Sequence, residues 1–359
     1  MQVNRLSFLQ LMSLVRPALV SRPYVPSLAY VLSAKGWLTT YNESIAIAVA
    51  VTDGIPDFNC CVEGERLHAA LNQFTAADLD IKLADGALTL KSGKSTIKLG
   101  VLPAEDFLFD QPDWDGVEFK LTTEFLAGIV ACLVAVGKNE ALPAAMGVTM
   151  SPDGVDDITL YSTDNNTITQ YQTDIRAQYM PGSAIVLPID FCDQMVALQR
   201  ATKCKDIALL ITKTHVMADF GNLILTGRLQ SEYDVIDYAT KINGLCPLET
   251  IAAGALRIPD GFDGALARAM LALGNAPEAT VALECADGVL KLDASTSTSS
   301  SHDELPFDEW VGDRLKFKVD PSLVARGVKM CDSLLPLPGV LVLLGGRGRL
   351  THLVAHVAR

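Results

Sequence analysis

The chain has 359 residues, more than one ordinary domain holds, so two or three domains are expected. Hydrophobic residues make up 49% and charged residues 20%, which excludes wholesale disorder, and nowhere do about 18 uncharged apolar residues run together as a spanning helix requires. The 29 Lys and Arg against 42 Asp and Glu give a net charge of −13, which excludes a simple cationic nucleic-acid coat and leaves only a local basic face to meet phosphates.

Near the N-terminus, Leu6 to Val15 is apolar enough to imitate the core of a signal peptide. Gln10 and two serines interrupt it, and Arg16 follows without a small-x-small cleavage site. Leu6, Leu9, Met12, Leu14 and Val15 trace a helical face, so the pattern predicts an amphipathic helix over Ser7 to Arg16.

From Val62 a longer pattern begins: helix, strand, turn, strand, tight turn, strand. Its helix carries Leu67, Ala70, Leu71 and Phe74, and Asp78 to Leu83 alternates as a half-buried strand should. Asp85-Gly86 turns, Leu88 and Leu90 continue the alternation, Ser92-Gly93-Lys94 turns again, and Ile97, Leu99 and Val101 close the unit. The same grammar restarts near Leu187, with Phe191, Met195, Val196 and Leu198 on a helix, strands at Ile207 to Ile211, Val216 to Phe220 and Leu223 to Leu229, and a turn at Gly221-Asn222. It restarts near Val319, with Leu323, Val324, Val328 and Met330 on a helix and strands at Val340 to Leu344 and Leu350 to Val357 around Gly345-Gly346-Arg347-Gly348. The copies lie one domain length apart, which predicts three domains of one design rather than a solenoid.

Each unit also has a front half. Helices are predicted at Thr122 to Val136, with Thr122 as cap, and at Phe262 to Leu273. Strand pairs follow, Gly147 to Met150 with Ile158 to Ser162 and Val281 to Cys285 with Val289 to Leu292, the latter joined around Asp287-Gly288. Every domain is therefore expected to hold two helices and about two small antiparallel sheets. Linker chemistry at Gln111 to Gly116 and Asn243 to Pro247 sets the domains at 1–115, 116–244 and 245–359. The run Ser295 to Ser301 reads as a flexible loop.

Motifs of chemistry are scarce. The eight cysteines contain no Cys-x-x-Cys and have no histidine at ligand spacing, so they read as core residues in a reducing cytoplasm. Ser92-Gly93-Lys94-Ser95 lacks the earlier glycine of a phosphate loop, where Leu88 stands, and reads as a hairpin turn. Gly345 to Arg349 precedes a strand and not the helix that a dinucleotide site needs. His68, His215, His302, His352 and His356 sit in no nucleophile, zinc or deaminase context. The acidic pairs Asp156-Asp157 and Asp78/Asp80 read as solvated. No catalytic residue, metal or cofactor is expected. Arg16, Arg22, Lys138, Arg200, Lys203, Lys205, Arg268, Arg326 and Lys329 lie on or just beyond predicted helices, where they serve either as ordinary solvated charges or as a ring following phosphates without reading bases.

Three tandem domains of this kind resemble the bacterial DNA polymerase III beta subunit family, the sliding clamps. Ser21-Arg22-Pro23-Tyr24-Val25-Pro26 is similar to the family's Gly-Arg-Pro-x-x-Pro turn. Ser92 to Ser95 followed by Leu102-Pro103-Ala104-Glu105-Asp106-Phe107 is similar to its Ser-Gly-Arg-Ser and Leu-Pro-Ala-x-Asp-Phe. Ser162-Thr163-Asp164, Val186-Leu187-Pro188, Phe220-Gly221 through Leu229, Asp237-Tyr238 and Ala267-Arg268-Ala269 follow in the family's order. The resemblance covers essentially the whole chain and implies an α+β clamp fold, closed as a head-to-tail homodimer into a ring around duplex DNA. Helices would line the hole and sheets the outside. It implies a processivity factor with no active site, no cofactor and no membrane association. Its partners would be a replicative DNA polymerase and a clamp loader, in the cytoplasm of a bacterial or phage-infected cell.

Carried over by residue, Arg22, Lys138 and Asn139 match DNA-facing positions, and charge and helix position add Arg200, Lys203 and Lys205. The partner-peptide pocket would comprise Thr163, Asn165, Asn166, Thr167, Ile168, Ile236, Thr240, Lys241, Val354, Ala355, His356 and Val357. The dimer interface would set Phe107, Leu108 and Phe109 against Leu271, Ala272 and Leu273. Three departures mark a diverged clamp of the kind a phage could encode. Ile189-Asp190 replaces a basic pair, Asn165-Asn166-Thr167-Ile168 replaces Gly-His-Arg-Leu, and Ala355-His356-Val357-Ala358-Arg359 replaces Met-Pro-Met-Arg-Leu. The rival readings are a clamp-fold protein-interaction module that does not encircle DNA and an enzyme whose site escapes motif reading.

Overall fold

The first helix forms where the sequence supplies both a cap and an apolar face. The Asn4 side chain accepts the Ser7 N–H at 3.0 Å, and α1 (Arg5–Val15) buries Phe8, Leu11, Met12 and Val15. Helix α2 (Gly64–Gln73) packs against it through Leu67, Ala70 and Leu71. The computed structural model describes the whole chain except residues 52, 53, 56, 110, 113, 140, 153–156, 180–182, 230–234, 248–253, 275–278, 308, 309, 311, 358 and 359.

The described residues gather into two compact units, each built from two separate stretches of chain. The first unit comprises Met1–Leu121 and Leu187–Ser231. It holds α1, α2, the later helix Ile189–Thr202 and a 12-stranded antiparallel sheet. Its strands are β1 (Gln2–Asn4), β2 (Tyr30–Ala34), β3 (Trp37–Tyr41), β4 (Ile45–Ala50), β5 (Cys60–Glu63), β6 (Asp78–Ala84), β7 (Ala87–Ser92), β8 (Ser95–Pro103) and β9 (Val117–Lys120), with β14 (Ala208–Ile211), β15 (His215–Asp219) and β16 (Leu223–Arg228). The spatial order is β1-β6-β7-β8-β5-β2-β3-β4-β16-β15-β14-β9, and the register Leu223↔Val49 stitches two distant stretches into one sheet.

The second unit comprises Thr122–Val186 and Glu232–Arg359. Its 8-stranded sheet runs β13 (Ile185–Pro188), β10 (Gly147–Ser151), β11 (Asp157–Thr163), β12 (Thr167–Arg176), β24 (Leu350–Ala355), β23 (Val340–Gly345), β22 (Cys331–Leu337), β17 (Leu256–Arg257). A 4-stranded sheet orders β20 (Ser300–Pro306), β19 (Val289–Ser295), β18 (Val281–Ala286) and β21 (Leu315–Val319). The helices are α3 (Thr123–Leu133), α5 (Tyr238–Leu245), α6 (Phe262–Leu273) and α7 (Pro321–Val328), while Ile189–Thr202 of the first unit is α4. Thr122 caps α3 as predicted, accepting the Phe125 N–H at 3.0 Å.

Strand alternation splits the 8-stranded sheet into two faces. Thr169 and Tyr171 of β12, and His352 and Val354 of β24, lie on the face covered by α3 and α7. His352 packs on Gly327 of α7, and the Tyr171 hydroxyl donates to Glu124 of α3 at 2.7 Å. On the opposite face the register aligns Ile168, Leu353, Val342 and Leu335 in one cross-strand row, and α5 covers it with Tyr238, Ile242 and Cys246.

Three expectations need correction. The sheets do not stay small and separate within sequential thirds, because β4 pairs with β16 and β12 with β24, so hydrogen bonding continues across the expected linkers. The Ser295–Ser301 run is not a loop. β19 continues through Ser295 and β20 begins at Ser300, and only the turn between them, closed by Thr296 N–H to Ser299 C=O at 2.8 Å, is irregular. Asn243 to Leu245 belong to α5 and not to a linker: Tyr238, Ile242 and Cys246 recur at helical spacing on one buried face, which outweighs the turn chemistry of Asn243-Gly244. Among the described residues no helix is long and apolar enough to cross a membrane.

Candidate nucleic-acid interface and partner pocket

In the first unit the end of α4 carries a cluster of cations. Arg200 is exposed in its last turn, Lys203 terminates the helix in the left-handed conformation at φ 55° with its N–H on Gln199 C=O at 2.8 Å, and Lys205 follows exposed. The negative end of the helix dipole favours cations at this place. Arg22 is exposed in the loop beyond α1. In the second unit Lys138 and Asn139 are exposed beyond α3, where the Asn139 side chain accepts the Ala141 N–H at 3.0 Å.

Among the described residues none of Arg22, Lys138, Arg200, Lys203 and Lys205 has a carboxylate within ion-pair distance. Arg16 and Arg268, which the sequence pattern groups with them, differ. Arg16 is held by Glu65 at 2.8 Å and Arg268 by Asp303 at 2.6 Å. Each of these carboxylates raises the pKa of its arginine by accepting its hydrogen bond. The free cations are the ones able to meet an external phosphate. Arg326 and Lys329 at the end of α7 are also exposed and unpaired among the described residues.

The pocket positions divide between two faces of one sheet. Ile168 and Ile236 pack against Tyr161, Tyr238, Ile242, Cys246, Leu335, Val340, Val342 and Leu353, an apolar floor on the α5 side. The Tyr161 and Tyr238 rings stack at 5.0 Å. Asp164 builds the turn before β12, accepting from Asn166 N–H (3.0 Å), Thr167 N–H (2.7 Å) and the Thr167 hydroxyl (2.8 Å), with Asn165 left-handed at φ 72°. Thr163 and Thr167 are buried, and the Thr163 hydroxyl donates to Thr167 C=O at 2.6 Å. Thr240 and Lys241 stand exposed on α5, and Ala355 and Val357 are exposed at the end of β24 and just beyond. Val354 does not join this floor: alternation turns it into the core beneath α6 and α7, with Leu343 and Val324. The His356 ring stacks on Phe317 at 4.2 Å, and its Nδ1 accepts the Gly339 N–H at 3.1 Å. Burial pushes the His356 pKa down to about 4, so it offers no charge near neutrality. Ala358 and Arg359 lie outside the described residues. The sequence reading did not bring Tyr238, Ile242 and Leu353 into this cluster. The i, i+4 spacing of the first two and the alternation of β24 were the available signals.

The interface positions are described unit by unit. Leu108 is 54% exposed, whereas the Phe109 ring lies 5.0 Å from Tyr41 of its own unit, the inward staple. On α6, Leu271 is 83% exposed, and Leu273 is buried in the core because two residues turn the helix through about 200°. Two strand edges accompany them: among the described residues, β8 from Ser95 to Gly100 pairs only with β7, and β20 pairs only with β19.

Ser92 to Ser95 forms the predicted hairpin turn, with Gly93 at φ 57°. The cysteines are free thiols, and burial pushes those of Cys61, Cys132, Cys285 and Cys331 up to about 12, far from reactive thiolates. Asp78 and Asp80 are exposed, and Asp156 lies outside the described residues. Among the described residues no group of three or more His, Cys, Asp or Glu could hold a metal. A groove of about 410 Å³ beside α5 is lined by Gln170, Gln172, Ser333, Leu344 and Thr351, with Asp332 and Arg349 as its charged side chains.

No protein-family model matches the sequence. Over 260 residues, 71% of this chain and 68% of the relative, it is 23% identical to the beta sliding clamp of Proteus mirabilis. The fold matches the DNA polymerase III beta subunit of Pseudomonas aeruginosa with a TM-score of 0.86 at 16% identity, covering 100% of this chain and 99% of that one. It matches the DNA polymerase III beta chain of Streptococcus pneumoniae with a TM-score of 0.86 at 18% identity, covering 100% and 99%. The chain thus has the DNA clamp fold along its whole length. Its sequence is thus similar to that of a beta sliding clamp and its fold to those of DNA polymerase III beta subunits, in the order of motifs that carries the resemblance.

Proposed function

We propose that the chain is a DNA sliding clamp, a processivity factor that encircles duplex DNA and tethers a replicative polymerase. Three clamp domains, 1–115, 116–244 and 245–359, would close head to tail with a second copy. An ATP-driven loader would open the ring in the cytoplasm of a bacterial or phage-infected cell. The observation that carries this reading is a whole-chain clamp fold, in a chain of net charge −13, with exposed cations, unpaired among the described residues, at the ends of α4 and α7 and beyond α1 and α3. A chain of net negative charge does not grip DNA, and sparse cations suffice for sliding because topology, not affinity, would retain the ring.

The mechanism requires no chemistry from the chain. Arg22, Lys138, Arg200, Lys203 and Lys205 follow phosphates, Asn139 adds a neutral contact, and none reads a base. Ile168, Ile236 and Leu344, partly exposed where they pack on the row that α5 covers, accept apolar side chains of a partner tail. Thr240, Lys241, Ala355 and Val357 rim them, with neutral His356 where a charged ring would otherwise select. Leu108 and Leu271, with the open edges of β8 and β20, supply the seam to the second copy.

Sedimentation across a wide concentration range tests closure, and retention on circular against linearised duplex after loading tests encirclement. A species of twice the monomer mass that stays on circles and slides off linear DNA supports the clamp. A stable dimer held equally on both would support the interaction module instead.

A further inference from the structure

Exposure alternates along the loop after α1: Arg22, Tyr24 and Pro26 face solvent, whereas Pro23 and Val25 turn partly inward. This is the period of extended backbone, and Val25 has φ −108° and ψ 115°. Two prolines stiffen the segment. Its base is closed by Val20 N–H donating to Leu28 C=O at 3.1 Å, with Leu28 buried.

From this rigid loop the Tyr24 ring projects with 77% of its surface exposed. It does not swing freely, because its hydroxyl donates to the Glu43 carboxylate at the tip of the β3–β4 hairpin. Glu43 is itself left-handed at φ 74°, unusual for a residue with a side chain, and its C=O accepts the Tyr41 hydroxyl at 3.3 Å. The polar end of the ring is therefore tethered while its faces stay in water. Arg22 leaves the same side of the segment about 7 Å away and is unpaired among the described residues.

We propose that Tyr24 is a stacking platform for an unpaired base where duplex gives way to single strand, with Arg22 holding a neighbouring phosphate. This rests on the clamp reading. The occupant follows from the chemistry of the pair. Ser21 and Arg22 precede the ring as exposed polar residues, and its hydroxyl is already held by Glu43, so the ring offers its faces rather than a polar end. A cation beside an oriented aromatic face matches an anionic chain that carries planar groups. Bases inside a duplex already stack on each other, which leaves the unpaired nucleotides of a primer–template junction. Such stacking tolerates any base, because every base has a π-face.

Fluorescence anisotropy with a labelled blunt duplex, and with the same duplex carrying a short thymidine overhang, at one fixed salt concentration tests this. The wild type should prefer the overhang. Tyr24→Ala should weaken overhang binding about tenfold and leave blunt-duplex binding unchanged. Tyr24→Phe, which keeps the ring, should retain most of the preference, and Arg22→Ala should weaken both substrates. If Tyr24→Ala changes both substrates equally, or neither, stacking is refuted. If the wild type shows no preference for the overhang, or binds neither substrate, the stacking proposal is refuted, whereas the clamp reading stands or falls separately on retention on circular against linearised duplex.

Discussion

Acid should destabilise the protein through one buried histidine. His352 is 1% exposed, its Nδ1 lies 2.7 Å from the Thr169 hydroxyl, and its ring is wedged against Gly327 of α7. Desolvation pushes its pKa from 6.5 down to about 4, with Asp164 and a hydrogen bond to the Leu323 backbone opposing the shift and Arg326 reinforcing it. The folded state therefore favours the neutral ring. The corresponding stability is fully present above pH 6.5 and disappears as pH falls toward 4, about 3 kcal/mol in all and about 2 kcal/mol by pH 5. Urea unfolding of the wild type and His352→Gln at pH 7.5 and 5.0 measures this. The variant loses stability at pH 7.5 from poorer packing, but its further loss on acidification should be about 2 kcal/mol smaller than that of the wild type. The exposed carboxylates and the other histidines act equally in both proteins and cancel. Equal acid losses in the two proteins would refute the assignment.

Other outcomes follow from the same geometry. A Cβ at position 327 would lie 2.4 Å from His352 Cδ2 and 2.6 Å from Leu343 Cδ1, so Gly327→Ala should cost about 1–3 kcal/mol in urea unfolding. Charge reversal of Arg200, Lys203 and Lys205 together should flatten the salt dependence of duplex binding, by roughly 0.9 in log–log slope for each phosphate no longer neutralised, without lowering the melting temperature. Leu271→Asp should convert dimer to monomer in sedimentation, whereas Leu273→Asp should unfold the region around α6, since only Leu271 faces solvent. Leu353→Asp should abolish capture of a polymerase tail peptide and cost stability, whereas Lys241→Ala, at an exposed rim position, should change peptide affinity alone, as calorimetry would show.

Much of the local structure was legible in the sequence because it rests on local rules. Thr122 as a cap, the alternation of Asp78 to Leu83 and the turn at Ser92-Gly93 need only neighbours a few residues away. The site residues were less legible. Exposure of Arg22 and Arg200 is a tertiary outcome, as is the capture of Arg16 and Arg268 by Glu65 and Asp303, carboxylates 49 and 35 residues distant. The side of β24 that meets α5, with Leu353 and not Val354 facing it, was decided by pairing with β12. The sequence by itself determined most helices, strands and turns, since propensity and periodicity act over short range. Only the tertiary structure decided which strands join across the chain, which cations stay free and which face of each strand becomes a surface, because those depend on interactions between residues far apart in sequence.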